Sequence, residues 1–224
     1  MWKYYDQVLS GKKLKDVYDT ATPPVKRYLE SEIQFILDLI RPGDSVLDLG
    51  CGYGRIIPRL LEKASFVVGL DNSFGNLLYG NDYLNKKLNY SFLCMSAESL
   101  GLKQNSFDAV ICIQNGISAF HIDQKSLIKE SVQLCRKSGI VLFSTYSPKF
   151  WEHRLEWFKL QSEAGLLGEI DVEKTKDGTI VCTDGFTATT VTAEKFDALT
   201  EDLDVSSEII EIDDSSLFCA LRPL

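Results

Sequence analysis

The stretch VLDLGCGYGR, from Val46 to Arg55, is the most informative part of this 224-residue chain. Its apolar residues are interrupted by Asp48, and the turn that follows contains three glycines within five positions, Gly50, Gly52 and Gly54. Glycine allows a positive φ and lets the backbone approach a ligand closely. A strand that leads through such a turn into a helix exposes free N–H groups, which favour a polar or anionic ligand. The stretch therefore predicts a strand, a ligand-binding turn and a helix in succession.

The composition is that of an acidic globular protein. Hydrophobic residues make up 45% of the chain, enough for a substantial core, and charged residues make up 25%. The formal net charge of −8 gives no broad positive field for a nucleic-acid backbone. No segment approaches the roughly 20 apolar residues of a membrane span, and the charged N-terminus lacks the apolar core of a secretion signal. We therefore expect a cytoplasmic protein with no nucleic-acid and no membrane partner.

Cysteine and histidine show no metal-ligand pattern. The six cysteines form no CxxC pair, and the two histidines lie in no tight cluster with them. Cysteines of this kind are typical of small buried side chains in a reducing compartment. We expect no metal site.

Strands and helices alternate after the glycine turn. Short apolar segments predict five strands, over 45–49, 66–70, 90–95, 107–113 and 139–144. Helical segments lie between them, the first over 55–63. Such alternation is typical of a parallel sheet covered by helices on both faces. Two last apolar segments, 207–212 and 217–222, have a connection so short that they must be antiparallel. The predicted fold class is α/β.

The second strand ends in an acidic residue, Asp71, which lies 19 residues after Gly52. A carboxylate at this point can accept hydrogen bonds from both ribose hydroxyls of a nucleoside, and a spacing of about 20 is expected of nucleoside-binding units. Two classes of cofactor, a nicotinamide dinucleotide and a nucleoside without a phosphate, agree with this arrangement.

Two residues of the opening stretch separate these classes. The dinucleotide fingerprint G-x-G-x-x-G would place its third glycine where this chain has Arg55. Asp48, beside the turn, would repel a pyrophosphate and attract an ammonium or sulfonium group. The ligand predicted is a positively charged nucleoside without a phosphate. S-adenosylmethionine (SAM) meets that description.

The opening stretch resembles the first motif of the class I SAM-dependent methyltransferases. VVGLDNS (67–73) is similar to their second motif, and SAES (96–99) occupies the position after the third strand. FDAVICIQNGI (107–117) resembles the fourth motif, and GIVLFSTYS (139–147) resembles the fifth strand. The resemblance covers residues 33–147. It implies a SAM-dependent methyltransferase with a Rossmann-like sandwich: a seven-stranded, mostly parallel sheet with a C-terminal antiparallel hairpin and helices on both faces.

The resemblance also implies roles for matched positions around the cofactor. Asp48 and the glycine backbone would line the methionine part, Asp71 would hold the ribose hydroxyls, and Asn72 would pack beside the adenine. Ser96 departs from the acidic residue that the family often has there. Its hydroxyl, or the N–H of Ala97, would reach the adenine edge.

Further positions would surround the methionine end and the substrate entrance. Gln114 and Asn115 follow the fourth strand, and Tyr5 and Tyr18 would close over the methionine from the N-terminal side. The complete set expected around the cofactor is Asp48, Gly50, Cys51, Gly52, Gly54, Asp71, Asn72, Ser96, Ala97, Gln114, Asn115, Tyr5 and Tyr18.

Aromatic residues are frequent in two segments outside the motifs. The family resemblance implies one methyltransferase domain over 1–224, with an N-terminal helical lid over 1–40. Asp-Gly turns predict a β-hairpin in an insert over 148–191, near the substrate side. The rings of both segments could instead only pack them onto the domain, or form a dimer face. Monomer and homodimer both remain open.

Methyl transfer from a sulfonium is an in-line displacement, in which the protein mainly positions the reactants and excludes water. A base helps where the acceptor is a hydroxyl or an ammonium group. His121, after the fourth strand, is the candidate catalytic base. The stretch IQNG lacks the Asp/Asn-Pro-Pro-aromatic segment of enzymes that methylate nucleobase amines, and no paired-glutamate loop typical of protein arginine methyltransferases occurs. A small molecule is the first candidate acceptor. A protein side chain, or a non-catalytic SAM-binding role, is the alternative.

Overall fold

The computed structural model describes residue 4 and residues 8–224. The strands are β1 (Ser45–Leu49), β2 (Phe66–Asp71), β3 (Tyr90–Cys94), β4 (Phe107–Cys112), β5 (Cys135–Tyr146), β6 (Ile180–Val181), β7 (Thr187–Ala188), β8 (Val205–Ile212) and β9 (Ser216–Pro223). The α-helices are α1 (Lys12–Asp19), α2 (Pro23–Leu39), α3 (Ile57–Leu60), α4 (Phe74–Tyr83), α5 (Gly116–Ala119), α6 (Gln124–Leu134), α7 (Trp151–Glu163) and α8 (Ala193–Thr200).

In the described part of the chain, seven strands form one sheet in the order β3-β2-β1-β4-β5-β9-β8. The strands from β3 to β5 pair in parallel, whereas β9 is antiparallel to both β5 and β8. The predicted seven-stranded sheet with a C-terminal antiparallel hairpin is confirmed. Because β1 has β2 on one side and β4 on the other, the chain changes direction across the sheet at β1. A crevice for a ligand is expected at the carboxyl ends of these strands.

Buried residues of the parallel strands alternate between the two faces of the sheet. Leu47, Val110 and Val141 pack in one core cluster with Leu127 and Ile128 of α6. Their neighbours along the strands belong to a second cluster, which includes Ile33 and Ile36 of α2. Strands buried on both faces read as nearly continuous apolar runs. Helices therefore cover both faces, as predicted.

Two elements are shorter than predicted. The helix expected over 55–63 is regular only in α3, because the N–H groups of Glu62 and Lys63 bond to carbonyls three residues back and tighten the last turn. The predicted hairpin is reduced to the two-residue strands β6 and β7. Of the two predicted Asp-Gly turns, Asp184-Gly185 lies between β6 and β7, whereas Asp177 and Gly178, both with positive φ, lie in the turn closed by the Lys176–Thr179 bridge.

Neither a membrane-crossing helix nor a metal-binding cluster occurs in the described part of the chain. Among residues 4 and 8–224, no helix is long and apolar enough to cross a bilayer. The same residues contain no group of three or more His, Cys, Asp or Glu side chains arranged to hold a metal ion. Cys94 is exposed, the other five cysteines are buried, and all six are free thiols.

Candidate functional site

A cavity of about 360 Å³, here called the main cavity, lies at the carboxyl ends of β1, β2, β3 and β4. Its lining includes the residues that end or directly follow these strands, among them Gly50, Asp71, Met95 and Ile113. Ligand pockets of proteins measure about 300–1,000 Å³, so the main cavity has the size for a nucleoside with a short side chain.

The main cavity brings together most of the residues predicted from the sequence. Two predicted residues, Gly54 and Asn115, do not line it, and Tyr5 lies outside the described residues. The predicted residues that line it are Tyr18, Asp48, Gly50, Cys51, Gly52, Asp71, Asn72, Ser96, Ala97, Gln114 and His121.

The glycine turn allows the backbone to face the main cavity. Gly50 has a φ of 76°, and a Cβ atom there would lie 2.7 Å from the ring of Phe120. Gly52 has a φ of 55°, and its N–H donates to the carboxylate of Asp71 at 2.9 Å. A larger residue at Gly50 would therefore be strained by its backbone and would collide with a ring.

Asp71 connects the end of β2 to the turn after β1. Its Oδ2 accepts the Gly52 N–H, and its Oδ1 accepts the N–H of Ser73 at 2.8 Å and the Asn76 amide at 3.4 Å. A carboxylate offers about four lone-pair sites, so it can also accept hydrogen bonds from ligand hydroxyls. The position agrees with the predicted ribose contact.

Asp48 is a buried carboxyl group at the wall of the main cavity. Asp48 is only 2% exposed, and its Oδ2 has no hydrogen-bond partner in the part of the chain that the structure describes. Burial raises the pKa of Asp48 to about 7, the Arg55 guanidinium opposes this rise, and the Asp71 charge adds to it. An enclosed carboxylate oxygen without a donor can receive a cationic group of a ligand.

Arg55 is a cavity residue whose role the sequence did not predict. Its guanidinium carbon lies 4.5 Å from the centre of the Tyr18 ring. Its Nε and Nη2 atoms are enclosed, and neither has a hydrogen-bond partner among the described residues. The only signal in the sequence was the replacement of the third glycine of the dinucleotide fingerprint.

Glu32 is a second buried carboxyl group, and the sequence did not point to it. It is fully buried in α2, where Ser216 donates to it from β9 and the Gln114 N–H donates to it at 3.0 Å. Burial raises the pKa of Glu32 to about 7, and these hydrogen bonds oppose the rise. Glu32 thereby holds the loop after β4 in which Gln114 faces the main cavity.

The structure places Gly54 and Asn115 differently from the prediction. Gly54 packs against Phe92 and does not line the main cavity. The Asn115 amide donates to the Thr189 carbonyl at 2.7 Å and accepts from the Thr145 hydroxyl at 2.8 Å. A φ of 62° turns residue 115 out of the strand direction, so its side chain reaches the insert rather than the cofactor side.

A smaller cavity of about 70 Å³ lies beside the main cavity and is here called the aromatic cavity. Leu14, Tyr18 and Gln114 line both cavities, and the Tyr18 hydroxyl donates to Gln114 Oε1 at 3.0 Å between them. The remaining lining residues of the aromatic cavity are Leu9, Val17, Leu29, Tyr146, Trp157, Phe158, Gln161 and Phe186.

His121, the predicted base, lies after α5 at an exposed part of the main cavity lining. Its backbone has a φ of 52°. Partial burial lowers the pKa of His121, so the imidazole is neutral at pH 7 and able to accept a proton.

Comparisons with known proteins agree with this fold. Residues 46–139 match the family model described as "Methyltransferase domain". The ubiquinone biosynthesis O-methyltransferase of Coxiella burnetii is 28% identical over 130 residues, which are 57% of this chain and 52% of that protein. The 2-methyl-6-phytyl-1,4-hydroquinone methyltransferase of Synechocystis is 27% identical over 149 residues, 58% of this chain and 46% of that protein. The chain thus spans about half the length of these curated relatives.

A solved structure extends the likeness to nearly the whole chain. A SAM-dependent methyltransferase from Clostridium acetobutylicum superposes with a TM-score of 0.64 at 16% identity, covering 95% of this chain and 98% of that one. The fold is therefore that of the Rossmann-like methyltransferases. Residues 46–139 thus match a methyltransferase domain, and the chain has the fold of a SAM-dependent methyltransferase. The family and the cofactor predicted from the glycine turn are confirmed at this level.

Proposed function

We propose that this protein transfers a methyl group from SAM to a small molecule by in-line displacement. The observation that carries the proposal is the enclosed Asp48 Oδ2 beside the main cavity, which has no hydrogen-bond partner among residues 4 and 8–224, with Asp71 at the end of the next strand. Two carboxylates in one cavity favour a cationic nucleoside and disfavour a pyrophosphate. The family match over 46–139 supports the same cofactor.

The proposed cofactor position follows the strand ends. Asp71 accepts the ribose hydroxyls, and Asn72 packs beside the adenine. Ser96 already accepts the Glu98 N–H at 3.1 Å, so its hydroxyl hydrogen remains available for the adenine edge, together with the Ala97 N–H. We leave Gly54 out of this set.

The methionine part lies at the other end of the proposed position. The backbone of Gly50, Cys51 and Gly52 surrounds it, and Asp48 receives its ammonium group. Tyr18 and Gln114 stand beside the methyl group. SAM supplies the electrophilic methyl group, and these residues orient it and exclude water, which accounts for most of the catalysis in a reaction of this type.

The acceptor, in this proposal, occupies the aromatic cavity and the space next to Tyr18 and Gln114. The N-terminal segment over 1–40 acts as the lid and the insert over 148–191 as the substrate wall of a single domain. Trp157 Nε1 supports this arrangement because it donates to the Val17 carbonyl at 3.2 Å and the Thr20 hydroxyl at 3.1 Å, joining α7 to α1. The aromatic lining favours an uncharged, flat acceptor. The names of the two curated relatives, one an O-methyltransferase of ubiquinone biosynthesis and the other a hydroquinone methyltransferase, support such an acceptor.

The first test is cofactor binding followed by an acceptor screen. In calorimetry we expect micromolar SAM binding and no NAD binding, because the Asp48 and Asp71 carboxylates repel a pyrophosphate. With labelled SAM, we expect methylation of uncharged aromatic small molecules such as phenols and hydroquinones. NAD binding without SAM binding would overturn the proposal. Labelling of protein substrates alone would favour the alternative acceptor, and SAM binding without any product would favour a non-catalytic role.

We also propose His121 as the proton acceptor for a hydroxyl substrate. His121→Gln is then expected to lower kcat about 100-fold or more, the usual contribution of a general base. Since burial lowers the pKa of His121, wild-type kcat should fall only as the pH drops below the ordinary histidine range, where the imidazole gains its proton.

The pH profile separates catalysis from packing at this position. In His121→Gln the fall of kcat at low pH should disappear. His153→Gln, an exposed change in α7, should leave kcat and its pH dependence unchanged. An unchanged kcat and an unchanged fall at low pH in His121→Gln would mean that positioning alone carries the reaction.

A further inference from the structure

Arg55 carries a positive charge into the wall of the main cavity. Two of its guanidinium nitrogens, Nε and Nη2, are enclosed without a hydrogen-bond partner among the described residues, although each carries at least one N–H. Leaving such donors unsatisfied is costly, particularly on a charged group. An anionic ligand group in the main cavity would satisfy them.

Within residues 4 and 8–224, Asp48 has an unused hydrogen-bond acceptor, whereas Arg55 has unused donors. The Asp48 Oδ2 accepts no hydrogen bond in the described part of the chain, and the guanidinium of Arg55 is close enough to influence the ionisation of Asp48. The two groups line the same cavity, each with atoms that have no hydrogen-bond partner among the described residues. One acidic and one basic side chain, each with unused hydrogen-bonding atoms, are complementary to a ligand that carries both charges on one carbon atom.

We propose that Arg55 binds the α-carboxylate of the methionine part of SAM, while Asp48 holds the α-ammonium group. This inference rests on the proposed function, since it deepens the description of the same site. The planar guanidinium presents two parallel N–H groups that match the two oxygens of a carboxylate. The ammonium group of a lysine has no such geometry. The Tyr18 ring lies 4.5 Å from the guanidinium carbon, within cation–π distance, and holds the guanidinium at the cavity wall.

The inference makes Arg55 a specificity-determining residue. Decarboxylated SAM has the same nucleoside, sulfonium and ammonium groups and lacks only the carboxylate. The protein should discriminate against it, because Arg55 would then stay enclosed without an anion. Recognition of both the α-ammonium and the α-carboxylate group would restrict the main cavity to nucleosides that carry an amino acid group.

The experiment compares two ligands in three proteins by calorimetry. The wild-type protein should bind SAM about 10–100-fold more tightly than decarboxylated SAM, the range expected of hydrogen bonds between charged groups. Arg55→Gln should weaken SAM binding by the same factor and leave decarboxylated SAM unchanged or tighter. Arg55→Lys, which keeps the charge and loses the two parallel N–H groups, should be intermediate.

Arg59→Gln is the matched control, because Arg59 lies one helical turn further on and pairs with Glu30 and Glu62 at the surface. It should bind both ligands as the wild type does. Equal weakening of both ligands in the two Arg55 variants would overturn the inference and assign Arg55 a structural role. Failure of the wild type to bind SAM would instead overturn the proposed function, and the inference with it.

Discussion

Asp71→Ala is expected to weaken SAM binding at least 100-fold. Each ribose hydroxyl would lose a hydrogen bond to a charged acceptor, worth about 1.5–3 kcal/mol, and two such bonds correspond to about 100-fold or more in affinity. The variant also loses the acceptor of the Gly52 and Ser73 N–H groups, which holds the turn against β2. Calorimetry with SAM and with S-adenosylhomocysteine measures the effect.

Asp108→Ala provides a matched control for the loss of a well-bonded carboxylate. Asp108 lies near the start of β4, where it accepts from the Ser45 N–H at 2.8 Å and pairs with Arg136, and it does not line the main cavity. Its loss should lower the free energy of unfolding without changing SAM affinity. If Asp71→Ala stays folded and binds SAM within threefold of the wild type, the ribose assignment is wrong.

Asp48→Asn is expected to change stability and SAM affinity in opposite directions. Burial raises the pKa of Asp48 from its ordinary value near 4 to about 7, so folding disfavours the ionised form. The unfolded chain loses this proton first as pH rises, so the stability present at low pH is lost between about pH 4 and 7. At pH 8 the amide should therefore raise the free energy of unfolding by about 1–2 kcal/mol. Arg55 keeps a weaker charge interaction with the buried Glu32 carboxyl, whose pKa it lowers.

The same substitution removes the carboxylate that receives the SAM ammonium group, so affinity should fall about 10–100-fold. Urea unfolding at pH 5 and pH 8 without cofactor, and calorimetry with SAM, give the two quantities. Asp82→Asn, an exposed change in α4, should alter neither. A variant that is less stable at pH 8 and retains wild-type SAM affinity would contradict both the burial argument and the assignment.

The parts of the fold that follow from local pattern could be predicted from the sequence. β1 begins and ends at the predicted residues, because its apolar run is bounded by Asp44 and the glycine turn. Asp48 and Asp71 were found for the same reason, since each has a fixed place relative to a strand end. The antiparallel pair β8 and β9 followed from the length of its connection alone.

The parts that depend on distant contacts could not be predicted. Glu32 reaches Gln114 and Ser216 only because α2 packs on the sheet near β4 and β9, which no spacing in the sequence encodes. Asn115 has the predicted position along the chain, but its positive φ directs the side chain to Thr189. The sequence showed Arg55 only as the residue that replaces the third glycine of the dinucleotide fingerprint. Its contact with the Tyr18 ring depends on the packing of α1 and could not be predicted.

The hydrogen bonds of Asn115 have a consequence for protein engineering. The side chain joins the loop after β4 to Thr189, and the Thr145 hydroxyl that it accepts from also receives the Val191 N–H at 3.1 Å. The end of the 148–191 insert is thus fastened to the core by two residues that lie outside the insert. A chimera that exchanges the insert between relatives must also transfer Asn115 and Thr145. The insert alone would lack the side chains that bind its last residues to the core.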